Sequence, residues 1–247
     1  MNTSSRDAPR AVLVVGAGDA TGGAIARRFA REGFVVCVTR RTADKLAPLV
    51  DRIRAEGGVA HGFASDARQE AEVMALFAKI EAEIAPIEVV VFNIGANVRF
   101  GITDTTERVY RKVWEMAALA GFLVGREAAR VMRPRGQGTV LFTGATASLR
   151  GGIGFCAFAG AKFALRALAQ SMARELGPQG IHVAHSIIDG AIDTEFIASN
   201  FPERYALKER AGILDPEAIA EAYWQLHRQP RNAWTHELDL RPWMETF

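Results

Sequence analysis

A loop with three closely spaced glycines, Gly16, Gly18 and Gly22, is the part of the sequence best suited to bind an anion. The loop follows the apolar run 11–15 directly and opens onto a helical pattern, so it lies at a helix N-terminus. Glycines let the backbone approach a ligand closely, and the unpaired N–H groups of the helix attract negative charge. The pattern predicts a pyrophosphate site for a nucleotide, although a glycine-rich turn without a ligand has a similar sequence. The predicted contacts are Gly16, Gly18, Asp19, Ala20, Thr21 and Gly22.

The next apolar run, 34–38, ends in Thr39, Arg40 and Arg41, and no acid follows until Asp44. An acid at this point would bond the ribose 2′-hydroxyl of NAD, whereas an arginine accommodates the 2′-phosphate of NADP. Because a guanidinium matches a phosphate in charge and geometry, the sequence favours NADP(H) over NAD(H) as the cofactor. The alternative is a pair of solvated arginines at a strand end.

The elements that must position these residues alternate between strand-like and helix-like patterns. Apolar or extended runs at 11–15, 34–38, 59–64, 89–92 and 139–142 predict strands, and the run 180–190 predicts a strand that leads into a loop. A long helix is expected at 106–132 and the last strand at 233–240. Right-handed crossovers stack such units into a parallel sheet. We therefore predict an α/β fold, a single-domain Rossmann-type doubly wound parallel sheet with helices on both faces. Residues 1–10 are expected to form a polar N-terminal tail, and residues 11–247 the dinucleotide-binding domain.

Composition excludes several other kinds of protein. The net charge of +2 comes from interspersed acids and bases, so no nucleic-acid partner is expected. The polar start has no apolar signal core and no run is long enough to span a bilayer, so we expect a cytoplasmic protein without a membrane partner. Cys37 and Cys156 lack metal-ligand or redox spacing, so we expect two reduced core cysteines and no metal site.

From Ala11 to about Leu240 the sequence resembles the short-chain dehydrogenases/reductases. The family's loop pattern T-G-x-x-x-G-x-G aligns with Val15, Gly16, Ala20 and Gly22, of which two positions are kept. Asp19 stands where many NADP-preferring members carry a second basic residue. The resemblance implies further cofactor contacts. Asp66, with Ala67 beside it, matches the aspartate that holds the adenine amino group, and Asn93 and Gly95 match the family's turn after the fourth strand. Lys162 matches the lysine that bonds the nicotinamide ribose, and Thr194 the threonine that binds the carboxamide. It also implies a homodimer or homotetramer, because similar helices pack across a subunit interface in the family, although core packing explains the small and apolar run 117–123 equally well.

The resemblance fails at the positions that carry the family's catalytic Asn, Ser, Tyr and Lys. Lys162 is kept, but the residue four before it is Phe158, the serine position holds Ala145 and the asparagine position holds Ala118. No Y-x-x-x-K occurs anywhere in the chain. A one-residue slip would place the Thr146 hydroxyl near the site, and Ser148 lies slightly further on; no shift supplies a phenol.

Hydride transfer to a carbonyl leaves charge on oxygen, which an acid must protonate, and phenylalanine has no proton to give. Losing a general acid costs about 10²–10⁴ in rate, so ordinary ketone reduction should be weak. One hypothesis is an oxidoreductase whose small-molecule substrate needs no tyrosine acid, with the proton from Lys162, Asp189 or water. The other is an inactive NADP(H)-binding sensor or scaffold. Asp189 is also explained as a turn-forming or helix-capping residue, and His185 as a core histidine.

Overall fold

Seven strands form one parallel sheet in the computed structural model, which describes residues 8–246. Residues 1–7 of the predicted polar tail and Phe247 lie outside the described residues. The sheet order is β3-β2-β1-β4-β5-β6-β7, and every neighbouring pair is parallel. The strands are β1 Ala11–Val15, β2 Val35–Arg40, β3 Val59–Ala64, β4 Ile87–Phe92, β5 Gly138–Thr143, β6 Ile181–Ile188 and β7 Glu237–Leu240.

Helices cover both faces of this sheet, as the alternating pattern predicted. They are α1 Thr21–Arg31, α2 Ala47–Ala55, α3 Glu70–Glu83, α4 Glu107–Trp114, α5 Ala120–Met132, α6 Cys156–Leu176, α7 Glu195–Asn200, α8 Pro202–Tyr205 and α9 Pro216–Arg228. Successive residues of a strand point to opposite faces, so Leu13 packs into one core cluster with Phe77, and Val12 into the other with Phe29. Burial on both faces explains why the strands are almost continuously apolar. The predicted doubly wound fold is confirmed.

Two predicted elements differ from the observed ones. The helix expected at 106–132 is interrupted by a π-helical segment, Glu115–Leu119. A π-helical turn has i→i+5 hydrogen bonds and contains one extra residue, and the hydrophobic periodicity of the sequence does not reveal it. The last strand begins at Glu237 rather than at 233 because the chain before it folds back: Thr235 N donates to Gln229 Oε1 at 2.7 Å, and Trp234 Nε1 to the Gln229 carbonyl at 3.2 Å.

The two cysteines have different environments. Cys37 is buried in β2, where burial raises the pKa of its thiol to about 12. Cys156, also expected in the core, is only half-buried as the first residue of α6, with its Sγ 3.4 Å from Thr105 Oγ1. Among the described residues, no group of His, Cys, Asp or Glu side chains has the arrangement of a metal site.

The topology places the functional residues at one edge of the sheet. Strand order reverses at β1, which pairs with β2 on one side and β4 on the other, and such a switch point opens a crevice at the carboxyl ends of the strands. The loops after β1, β4, β5 and β6 therefore converge. In the part of the chain that is described, no helix is long and apolar enough to cross a membrane.

Candidate functional site

A cavity of about 1160 Å³ lies at the carboxyl ends of the strands. The glycine loop after β1 and the turns after β4, β5 and β6 line it. The first turns of α6 and residues of α7 and α8 complete the wall. The cavity is large enough for a dinucleotide and a small substrate together.

A side chain at Gly16 or Gly22 would clash with the backbone around the glycine loop. Gly16 has φ +86°, and a Cβ there would lie 2.9 Å from the Asn93 carbonyl oxygen. A Cβ on Gly22 would lie 2.7 Å from the Gly16 carbonyl oxygen, whereas one on Gly18 would have no neighbour within 4 Å. Gly18 therefore borders open space, and Gly16 and Gly22 allow the strand, loop and helix to pack closely.

The start of α1 has free N–H groups that face this space. Its N-cap, Ala20, makes no side-chain capping bond, so the first-turn donors of a long helix lack the usual partner. Asn93, after β4, donates from Nδ2 to the Gly16 carbonyl at 3.2 Å and fixes the loop against the sheet. A phosphate group fits this cradle because it accepts hydrogen bonds and is stabilised by the positive end of the helix.

Ten of the residues predicted to bind a cofactor line this cavity, and five do not. Those in the lining are Gly16, Gly18, Asp19, Ala20, Thr21, Gly22, Asn93, Gly95, Lys162 and Thr194. Thr39, Arg40, Arg41, Asp66 and Ala67 lie outside it, at the ends of β2 and β3. Thr39 is buried, and its carbonyl accepts from Gly16 N at 3.1 Å and Ala17 N at 3.2 Å, so it supports the glycine loop through its backbone.

The charged groups at the ends of β2 and β3 are already partly paired. Arg40 Nη1 lies 3.6 Å from Asp19 Oδ1 and 3.3 Å from the Lys45 carbonyl, whereas Arg41 is exposed. Asp66 accepts from Arg68 Nε, with its two carboxylate oxygens at 2.9 and 3.1 Å, and this hydrogen bonding is the main reason that the pKa of Asp66 is lowered. Sequence reasoning missed Arg68, although an arginine two residues after an aspartate is a local signal for such a pair.

Lys162 projects from α6 into the centre of the site. Its Nζ donates to the Thr143 carbonyl at 2.8 Å and the Ile94 carbonyl at 3.3 Å, and no carboxylate within residues 8–246 forms an ion pair with it. Burial therefore lowers the pKa of Lys162 to about 8. The ring of Phe158, one turn earlier on α6, has its centroid 5.9 Å from Nζ.

Phe158 and Ala145 both line the cavity, and Phe158 is 8% exposed. Ala118 lies in the π-helical segment, is buried and does not line the cavity. Of the two hydroxyls that the sequence places nearby, only Thr146 lines the cavity, and its Oγ1 donates to Asp189 Oδ1. Ser148 is fully buried and its Oγ accepts from Ala145 N at 3.2 Å.

Asp189 connects the loops after β5 and β6 to the end of the sheet. It is 2% exposed and does not line the cavity; Oδ1 accepts from Thr146, and Oδ2 lies 3.4 Å from Arg241 Nη2. Nor does it cap a helix, because Thr194 Oγ1 caps α7 by accepting from Ile197 N at 3.2 Å. These contacts hold the Thr146 hydroxyl in a fixed orientation.

His185 lies beneath the site, in the core. Burial lowers the pKa of its imidazole to about 4, and a Cβ on Gly144 would overlap its ring. Its Nδ1 is 3.4 Å from Glu237 Oε1, a carboxylate whose other partner is Arg166. The neutral ring therefore supports the loop after β5, as expected of a core histidine.

Several cavity residues were not among the predicted site residues. The aromatic rings of Phe155, Phe196 and Phe201 line the cavity, as do Arg27 and Arg150. Their positions depend on tertiary contacts. The C-terminal residues also contact α8 and the turn that follows it: Glu245 pairs with Arg204, and Trp243, although 72% exposed, donates from Nε1 to the Arg210 carbonyl at 3.0 Å.

The parallel sheet and the glycine cradle at its switch point define a Rossmann-type α/β protein. A family model described as short chain dehydrogenase matches residues 10–204. The chain belongs to this family of oxidoreductases.

Known relatives agree with this membership. A short-chain dehydrogenase of Rhodopseudomonas palustris has a crystal structure 53% identical in sequence, with a TM-score of 0.81 over 95% of this chain and 99% of that chain. A short-chain dehydrogenase/reductase of Armillaria gallica is 31% identical over 186 residues, which is 74% of this chain and 71% of that protein. An alcohol dehydrogenase of the archaeon Thermococcus sibiricus, complexed with 5-hydroxy-NADP, is 25% identical, with a TM-score of 0.84 over 96% of this chain and 98% of that chain.

Proposed function

We propose that the protein binds NADP(H) in this cavity and is an oxidoreductase whose substrate needs no tyrosine acid. Ordinary hydride transfer to ketones or from alcohols is weak. The observation that carries the proposal is the Phe158 ring, which lines the cavity beside Lys162 and has no proton to donate.

The cofactor half of the proposal rests on the cradle. The open space beside Gly18 and the uncapped start of α1 suit a pyrophosphate, and Thr194 and Lys162 line the part of the cavity assigned to the nicotinamide and its ribose. The exposed Arg41 guanidinium, with Arg40, receives the 2′-phosphate, and Asp19 competes with that phosphate for Arg40. Asp66 and Ala67 border the adenine. When bound, the cofactor supplies or accepts a hydride.

The catalytic half rests on what stands at the family's Asn, Ser and Tyr positions. Phe158 and Ala145 present a phenyl ring and a methyl group to the cavity, and Ala118 lies in the π-helical segment away from it. The Thr146 proton is already donated to Asp189, so this hydroxyl does not replace the missing donor. None of these three positions retains a side-chain hydrogen-bond donor for an alkoxide as it forms, and losing one oxyanion donor costs about 10²–10³ in rate.

Lys162 is the group that we assign to proton supply. Its pKa of about 8 leaves the ammonium form present at neutral pH and able to release a proton from Nζ. Asp189 is assigned to orienting Thr146 rather than to proton transfer, since it is buried and bonded on both oxygens. Suitable substrates are activated double bonds, or iminium ions that carry their own positive charge, because neither requires a phenol.

A homodimer or homotetramer is part of the proposal. Apolar side chains of α4, α5 and α6 are exposed in the single chain, among them Tyr110, Trp114, Phe122 and Phe163. Burying such a group against a second copy would remove it from water. Light scattering on the purified protein measures the subunit number.

The test is to measure NADPH and NADH affinities by fluorescence and then to follow cofactor oxidation with ketones, quinones and enones. Turnover of enones without turnover of simple ketones supports the oxidoreductase. Tight binding without turnover of any substrate favours the alternative, an inactive NADP(H)-binding sensor or scaffold. Rapid reduction of simple ketones contradicts both.

A further inference from the structure

Part of the cavity wall is formed by a segment in which no residue is buried. Residues 195–210, the α7–α8 segment, comprise the two short helices and the 3₁₀-helical turn after them. Every residue of this segment is exposed or half-buried. Phe196 and Phe201 line the cavity, are 62% and 50% exposed, and have ring centroids 6.1 Å apart. Because a segment with so little buried surface opens at a low free-energy cost, its position depends on a few specific contacts.

Two of these contacts come from the C-terminal residues of the chain. Within residues 8–246, three side-chain hydrogen bonds or ion pairs join the segment to residues beyond its Thr194 cap: Arg204 to Glu245, Trp243 Nε1 to the Arg210 carbonyl at 3.0 Å, and Lys208 Nζ to Asp193 Oδ2 at 2.7 Å. Of these three contacts, the pair of Arg204 and Glu245 alone has both residues in the cavity lining. This ion pair therefore connects two parts of the cavity wall that lie 41 positions apart in the chain.

Glu245 is the fixed member of the pair. Its side chain is 17% exposed, against 48% for Arg204, and its N–H donates to the Pro242 carbonyl at 2.9 Å. A Cβ on Gly190 would lie 2.9 Å from Pro242 Cδ and 3.2 Å from Glu245 Oε2, so the C-terminal residues pack directly against the loop after β6. That loop is fixed in turn, because Asp189 N donates to a carbonyl of β7 at 2.8 Å. The guanidinium on the exposed helix α8 is therefore the movable member.

The segment ends in a strained backbone turn. Within residues 8–246, Ala211 is the only non-glycine residue in the left-handed region, with φ +53°, and this conformation is unfavourable for a residue with a Cβ. Residues at the ends of helices that absorb such backbone changes serve as hinges. Lys208 and Arg210, which carry the other two contacts, lie within three residues of Ala211 and so hold the hinge end of the segment. Arg204 makes the contact further from the hinge.

We propose that Glu245 is a positioning residue of the cavity: its ion pair with Arg204 holds the α7–α8 segment and its two phenyl rings in the cavity wall, and ligands enter and leave when this pair breaks. Attraction between partly exposed charges is weak enough to be broken by thermal motion, and salt reduces it further. The inference rests on the proposed function for the ligand that enters, NADPH. The movement of the segment does not depend on that function.

The test measures amide hydrogen exchange of residues 195–210 by mass spectrometry without any ligand, and then the rate of NADPH release by stopped-flow fluorescence. Arg204→Gln and Glu245→Gln each remove one charge, the double variant removes both, and Arg204→Lys keeps the positive charge. Glu107→Gln is the matched control, because Glu107 forms an exposed ion pair with Arg111 on α4, outside the cavity. Melting temperatures confirm that each variant is folded.

At low salt, each single Gln variant should exchange the amides of residues 195–210 about fivefold faster than the wild type, the upper end of the effect of a partly exposed ion pair. The double variant should exchange no faster than the single variants, because all three lack the same pair. Arg204→Lys should keep most of the protection, and Glu107→Gln should match the wild type. Exchange in α9, Pro216–Arg228, should be the same in every protein.

NADPH release should become faster in the Gln variants by about the same factor as exchange. Raising the salt concentration to about 1 M should bring the wild type to the exchange rate of these variants, a response that a purely structural role of Glu245 would not give. Unchanged exchange in both single Gln variants, additive effects in the double variant, or a release rate that does not follow exchange would overturn the proposal. Absence of NADPH binding alongside the expected exchange pattern would contradict the proposed function and leave the positioning role of Glu245 standing.

Discussion

Restoring two hydroxyls should convert this protein into a ketone reductase. The change is Phe158→Tyr together with Ala145→Ser, at two positions that both line the cavity. The phenyl ring centroid is 5.9 Å from Lys162 Nζ, so a phenol there would have its pKa lowered by the nearby ammonium. The cavity of about 1160 Å³ has room for the added oxygen atoms.

The expected size of the effect follows from the two roles that are missing. A general acid contributes about 10²–10⁴ in rate, and one oxyanion donor about 10²–10³. Groups that act as a unit do not combine multiplicatively, so the double variant should raise kcat/KM for ketones by about 10²–10⁴, a barrier lowered by about 3–5 kcal/mol. Phe158→Tyr alone should give a smaller rise, because the serine donor is still absent.

The assay follows oxidation of NADPH at a fixed concentration of acetophenone, with the NADPH affinity of each variant measured separately. Phe163→Tyr is the matched control, since it adds a phenol on the exposed side of the same helix, outside the cavity. It should leave ketone reduction at the level of the unmodified protein. A folded, NADPH-binding double variant that reduces ketones no faster than the Phe163→Tyr control would refute the assignment of these positions.

Three further predictions concern the cofactor, the glycine cradle and Lys162. Arg41→Ala should weaken NADPH binding about tenfold with NADH affinity unchanged, while Asp19→Asn should strengthen NADPH binding by releasing the neighbouring arginine; fluorescence titration with both nucleotides checks each change. Gly22→Ala, whose Cβ would lie 2.7 Å from a backbone oxygen, should lower the free energy of unfolding by about 1–3 kcal/mol, whereas Gly18→Ala should leave it unchanged in urea denaturation, and equal stabilities would contradict the geometry of the loop. Burial lowers the pKa of Lys162 from 10.5 to about 8, so between pH 8 and pH 10.5 the unfolded chain binds more protons than the folded protein. The free energy of unfolding of the wild type should therefore rise by roughly 2–3 kcal/mol relative to that of Lys162→Met over this pH range. Parallel stability curves for these two proteins would show that Lys162 titrates normally.

The fold was predictable because its signals are local. The apolar run 11–15, the glycines after it and the helical spacing that follows specify one strand, one turn and one helix, and the same alternation is repeated along the chain. The start of α9 shows the same local control, because Pro216 stands in its first turn and Asp215 Oδ1 accepts from Glu217 N at 2.9 Å. Chain-local chemistry of this kind does not depend on the rest of the molecule.

The site was predictable only in part, because its remaining features arise between distant segments. The side-chain hydrogen bond from Thr146 to Asp189 joins residues 43 positions apart, so the Asp-Gly pair after β6 does not predict it. The π-helical turn near Ala118 was also invisible, since small buried residues fit either kind of helix.

A single-turnover measurement on the unmodified protein tests most directly the proposal that the cavity holds a hydride donor but lacks the serine and tyrosine hydroxyls that would stabilise an alkoxide. The protein is saturated with NADPH, mixed with excess acetophenone, and the absorbance of the reduced nicotinamide is followed. We predict that NADPH stays bound and is oxidised little faster than in buffer alone. Rapid oxidation of the bound NADPH by this simple ketone would contradict the assignment of Phe158 and Ala145.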